Sequence, residues 1–109
     1  MKPVPQNADQ LKRALAAIFP GLPRDFGAWG ESVLEDAGPT FHSLMREFAL
    51  FFVRNLDVFP DRQLRRFAEL VARCVEAGGP LAEAMQDCIV EPARRQPELA
   101  RFAPFLASL

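Results

Sequence analysis

Along this chain the apolar residues recur at intervals of three and four rather than two, which is the period of helices and not of strands. Proline and glycine punctuate the periodic stretches: Pro20-Gly21, Pro23, Gly27, Gly30, Gly38-Pro39, Pro60, Gly78-Gly79-Pro80, Pro92, Pro97 and Pro104. β-Branched residues are scarce while Ala and Leu are plentiful, so no segment stands as a strand candidate. The pattern predicts an all-α, single-domain bundle of about five helices with a short C-terminal helical turn.

The first helix is expected from Ala8 to Phe19, with Asn7 as its N-cap and Gln10 completing a capping box three residues on. Leu11, Leu15, Ile18 and Phe19 form its buried stripe, and Pro20-Gly21 end it. From Gly21 to Gly38 the pattern is weakest: Phe26, Trp29, Val33 and Leu34 are apolar anchors, and 31–37 has the makings of a short helix. The next helix, 39–56, is expected to begin at Pro39, whose missing N–H costs nothing in a first turn. At about 100° per residue, Phe41, Leu44, Met45, Phe48, Ala49, Phe51, Phe52 and Leu56 cover more than half its circumference. A helix so broadly apolar belongs at the centre of the bundle. Leu50 is the exception, lying opposite Phe41 among Ser43, Arg46 and Asp57.

The helix expected over 60–77 is the most clearly two-faced. Leu64, Phe67, Ala68, Val71, Cys74 and Val75 share one side, and Arg62, Arg65, Arg66, Glu69, Arg73 and Glu76 the other. Glu69 and Arg73 have the spacing and order of a helical ion pair, worth about 0.3–0.5 kcal/mol. Gly78 and Gly79 stop the helix. A further helix starts at Pro80 with Leu81, Ala84, Met85, Cys88 and Ile89 inward, and Pro92 is expected to end or kink it. In the tail, Leu99, Phe102, Phe105 and Leu106 are too apolar to hang free and should close the core on one or two helical turns.

Composition narrows the function classes. At 109 residues the chain is one domain, and a 50% apolar, 25% charged composition is that of a globular protein. Thirteen basic against 14 acidic residues give a net charge of −1, which argues against a nucleic-acid binder and against docking on anionic membranes. No apolar run is long enough to span a bilayer, and the N-terminus lacks a signal-peptide pattern, so a cytoplasmic location is expected. Cys74 and Cys88 form neither a disulfide framework nor a CxxC pair, and read as small buried residues in a reducing compartment.

Each candidate for chemistry has an ordinary rival. His42 is the single histidine, but no Ser, Cys or carboxylate stands one helical turn away to make it a general base. A zinc set would have to be His42, Cys74, Cys88 and Asp87, which lacks the close ligand pairs such sites use, so no metal or cofactor is expected. Glu83, Asp87 and Glu91 repeat every four residues as an acidic stripe suited to a basic partner. Arg62, Arg65, Arg66 and Arg73 make a cationic face suited to an acidic partner or a phosphate. Trp29, in "FGAWGE", is either a binding hot spot or a plug at the end of the bundle. No phosphate loop, nucleophile elbow, GxGxxG or HExxH occurs.

The order "FALFFVRNL", "LRRFAELVARCVEAGG", "LAEAMQDCIVEP" and "FAPFL" resembles a family of small all-helical bacterial proteins of unknown activity, over residues 40–106. Cys88, Ile89 and Glu91 carry the most specific part of the match, and the chain departs from the pattern at Pro92 and in its shorter, proline-rich tail. Such proteins are suspected to be immunity-like partners in polymorphic-toxin systems, so the resemblance implies a binding role without catalytic residues. The leading expectation is therefore a non-enzymatic domain that binds another protein. Two alternatives stand beside it: a ligand- or metal-binding protein or enzyme using a Phe-lined bundle centre with His42, and a homo-oligomer formed through exposed Leu50 and Val90.

Overall fold

The computed structural model describes residues 4–22 and 40–107, and Phe26, Trp29, the 31–37 segment and Pro39 lie outside them. Among the described residues every regular element is helical, as the apolar spacing predicts. The first helix, α1, spans Ala8–Ile18. Asn7 caps it, its side chain accepting the Gln10 N–H at 2.9 Å. The reciprocal half of the capping box is displaced: Gln10 Oε1 accepts from the N–H of Gln6 at 2.8 Å, because the extended Asn7 backbone brings the amide one residue further out within reach. At 11 residues α1 is too short to persist alone, and burial of Leu11, Leu15 and Ile18 holds it.

Helix α2 spans Phe41–Asn55 and runs into a 3-10 turn, Leu56–Val58. Its start is fixed by a residue pair that apolar spacing does not reveal. Thr40 Oγ1 accepts the Ser43 N–H at 3.0 Å, and Ser43 Oγ accepts the Thr40 N–H at 2.9 Å. That reciprocal cap satisfies two of the unpaired donors at the helix start, with serine doing what Glu or Gln usually does.

Helix α3, Asp61–Ala77, buries Leu64, Phe67, Ala68, Leu70, Val71 and Cys74. Leu70 extends the buried arc beyond the expected face. Gly78 and Gly79 then both take φ 75°, the left-handed conformation that lets the chain stop one helix and begin α4, Gly79–Met85, without strain. Pro92 neither ends nor sharply breaks the helical path beyond α4. The chain widens into a π turn, Gln86–Val90, and resumes as α5, Glu91–Arg95. A proline at 92 has no N–H to return to the preceding turn and its ring crowds that turn. The π turn absorbs both problems, with the Glu91 N–H reaching back to Gln86 O. A second 3-10 turn, Pro97–Leu99, leads into α6, Ala103–Ala107.

The core is a phenylalanine cluster. Phe19, Phe48, Phe52, Phe67 and Phe102 are all at most 1% exposed. Ring centroids lie 5.1 Å apart for Phe48–Phe67, and 5.0 Å for both Phe52–Phe67 and Phe52–Phe102. Such pairs add about 0.5–1.5 kcal/mol each beyond the burial of their area. The backbone of α2 packs directly on α1, α4 and the π turn, and meets α3 through these rings, so it is the central helix expected of 39–56. Leu99 and Phe102 close the bottom of the core while Phe105 and Leu106 are half-buried against it. Among the described residues no helix is long and apolar enough to cross a membrane.

Arg101 fixes that closure. Its guanidinium donates to the carbonyl oxygens of Leu56 and Phe59, and to Asp61 Oδ1 at 3.2 Å. Those carbonyls sit where α2 has ended and α3 has not begun, so they have spare acceptor capacity. One side chain from the tail thus ties together the turn between two helices, and it places Phe102 beside Phe52 and Phe67.

Candidate functional site

Three surface features gather the residues with chemical potential. The first is the outer side of α2. Leu50 is 62% exposed, Val53 36% and Val58 74%, the large apolar residues open to solvent among the described residues. Leu50 and Val53 face Pro97 across a shallow hollow of about 660 Å³, with Arg54, Arg95 and Glu98 around it. An apolar middle with a charged rim is the anatomy of a protein–protein contact. Val90, expected to be exposed beside Leu50, is instead half-buried against the core, because the π turn rotates it inward.

The second feature is where α2 meets the π turn. His42 Nε2 lies 3.0 Å from Asp87 Oδ2, both partly solvent-exposed. Its carboxylate partner stands 45 residues away on another element, so helical spacing does not pair the two, although both belonged to the zinc set considered from the sequence. Cys88 Sγ points to the His42 carbonyl oxygen at 4.0 Å, not to the imidazole. Burial raises the Cys88 thiol pKa, and the Arg46 charge lowers it only in part. Burial pushes Cys74 up to about 11, with Arg73 pulling partly back. Both sulfurs are thus held as thiols, whereas nucleophilic attack and metal ligation need the thiolate. Among the described residues no three His, Cys, Asp or Glu side chains converge as a metal site would require.

The acidic stripe does not survive folding as a unit. Asp87 turns to His42, while Glu91 pairs with Arg94 at 3.5 Å and Arg95 at 3.4 Å. The π turn between them breaks the four-residue register that made Glu83, Asp87 and Glu91 look continuous. Glu83 stays exposed.

The third feature is a cleft of about 580 Å³ between α1 and α3. Ala14, Ala17 and Ile18 form one wall, and Arg66, Leu70 and Arg73 the other. Val4 and Pro5 border it, and Glu69 stands between the two arginines on α3. The expected Glu69–Arg73 ion pair is not formed among the described residues. Arg73 Nε is buried and has no hydrogen-bond partner among the described residues. The cationic face therefore divides: Arg66 and Arg73 enter the cleft, whereas Arg62 and Arg65 are exposed outside its lining. Helical spacing reveals the arginines but not this division, since the division depends on where α1 lies.

The phenylalanine-lined centre considered as a ligand chamber is filled by its own rings, which touch at 4.7–5.9 Å for Phe19 with Phe48, Phe52, Phe59 and Phe67. His42 lies away from it, on Asp87. Trp29 lies outside the described residues. Comparison with known proteins finds no matching family, no matching characterised relative and no matching solved structure.

Proposed function

We propose that this protein is a non-enzymatic helical module that binds another protein through the outer side of α2. The observation that supports this reading is the hollow beside Leu50 and Val53. Two apolar side chains stand open on the central helix of the bundle, where the core has no use for them. A leucine that is 62% exposed forgoes about 1–2 kcal/mol that full burial would return, and a docked partner recovers part of it. Arg54, Arg95 and Glu98 supply charges of both signs at the rim, which set orientation more than affinity.

The resemblance to immunity-like proteins makes a bacterial toxin domain the partner class to try first. A photo-crosslinking residue at Leu50, in the native host, tests the proposal. The expected product is one discrete adduct with a second, different protein, lost when the crosslinker is moved to Arg65. Adducts only with further copies of this chain would replace the reading by a homo-oligomer, and no adduct at all would remove it.

A further inference from the structure

We propose that the cleft between α1 and α3 is a binding site for a small organic carboxylate carrying a compact apolar body. It is separate from the hollow beside Leu50, so neither proposal depends on the other.

The polar groups of the cleft differ in what already engages them. Gln10 Oε1 accepts the Gln6 N–H, and Gln6 Nε2 donates to Val4 O at 3.1 Å, so one atom of each glutamine amide is tied to nearby backbone, while both residues are exposed and keep their other amide atom in water. The enclosed, unsatisfied donor is the Nε of Arg73, which is shut off from water and has no acceptor among the described residues. An arginine presents Nε–H and one Nη–H side by side, a fork that matches the two oxygens of a carboxylate. Rotation about the long arginine stem brings that edge to a group entering the cleft. Arg66 and Arg73 are two helical turns apart on one edge of α3, and side chains of that length can converge on one group.

Charge and surface then select the ligand class. Two guanidiniums against the carboxylate of Glu69 leave one net positive charge, which a monoanion neutralises. A phosphate dianion would set surplus negative charge against Glu69. The opposite wall of Ala14, Ala17 and Ile18 has nothing to offer a bare ion but suits a small hydrocarbon body. The volume, about 580 Å³, lies within the range of about 300–1,000 Å³ usual for small-molecule sites.

Calorimetric titration of the full chain with hexanoate tests this, with hexanamide and inorganic phosphate as comparison probes. Saturable hexanoate binding is expected, with hexanamide and phosphate weaker by at least about tenfold. Arg73→Met should weaken hexanoate by about tenfold or more, and Arg66→Gln by a smaller factor, while Arg65→Gln leaves it unchanged. The ligand-free Arg73→Met protein should melt no lower than the wild type, because the substitution removes an unpaired donor; a residue with a purely structural role would show the reverse. The proposal is overturned if the wild type shows no saturable hexanoate binding. It is equally overturned if hexanamide or phosphate binds as well, or if Arg66→Gln and a folded Arg73→Met both bind hexanoate undiminished.

Discussion

The C-terminal closure and the α1–α3 cleft each hold a half-buried arginine, and the two are used in opposite ways. Arg101 meets two carbonyl oxygens and a carboxylate, and its donors complete a turn that would otherwise be left open. Arg73 sits in the wall of a cleft with its Nε enclosed and, among the described residues, unpaired. A guanidinium carries five donors, and burying one without an acceptor costs about 1–3 kcal/mol. Stability alone would keep Arg101 and replace Arg73 by a methionine. The contrast separates an arginine that holds the fold from one that the fold holds ready.

The closure should break first at the residue Arg101 positions. Phe102 is fully buried, with its ring 5.0 Å from Phe52 and 5.4 Å from Phe67. Phe102→Ala removes that ring from a packed cluster and should cost about 3–5 kcal/mol in urea unfolding, a large part of the stability of a domain this size. Arg101→Met keeps the aliphatic stem and removes the donors, stranding two carbonyls in buried residues. The expected loss is about 2 kcal/mol. A loss below about 0.5 kcal/mol would mean that water satisfies those carbonyls and that Arg101 is an ordinary surface cation.

Arg73→Met sharpens the comparison from the other side. It should leave stability unchanged or raise it by about 1 kcal/mol, the opposite sign to Arg101→Met. The same substitution carries a pH signature. Above the ordinary thiol value of 9.0 the unfolded chain ionises Cys74, while the folded protein keeps it protonated to about 11. Stability therefore falls as pH rises through that window. Arg73 lowers the Cys74 pKa, so without its charge the fall should continue to a higher pH. An unaltered stability–pH profile in the variant would place the Arg73 charge too far from the sulfur to act on it.

How much of this was legible in the sequence depends on the range of each interaction. The α1 boundary, the two-faced α3, the double glycine stop and the broad apolar arc of α2 are local patterns, and capping residues, glycine and proline marks and apolar spacing predict them. The Thr40–Ser43 cap was legible too, but serine in the answering position is a weak signal beside a proline one residue upstream. What spacing could not show was contact between distant elements. Arg101 to Leu56, His42 to Asp87 and Gln63 to Ile18 all join residues 45 positions apart. Pro92 is an intermediate case: a disruption was predictable, but whether the chain bends, stops or widens depends on how well Ile89 and Ala93 can both stay in the core. The π turn lets both remain buried. Candidate sites suffered most from this limit. Stripes drawn on single helices counted Glu83, Asp87 and Glu91 together, although folding gives Asp87 and Glu91 different partners.

The finest division lies within the Arg101 cluster itself, between its carbonyl and carboxylate acceptors. Asp61 is 73% exposed at the side chain and Arg101 35%, so their ion pair is formed in water and screened by salt. Asp61→Asn should therefore change stability by about 0.5 kcal/mol or less, partly through the loss of a favourable acidic residue in the first turn of α3. That residual effect should shrink further at high ionic strength, whereas the loss in Arg101→Met should not, because hydrogen bonds to enclosed carbonyls lie beyond the reach of mobile ions. A loss in Asp61→Asn that matched Arg101→Met and vanished in salt would transfer the staple from the carbonyls to the carboxylate. The contrast with Arg73 would then be one of ion pairing rather than of satisfied donors.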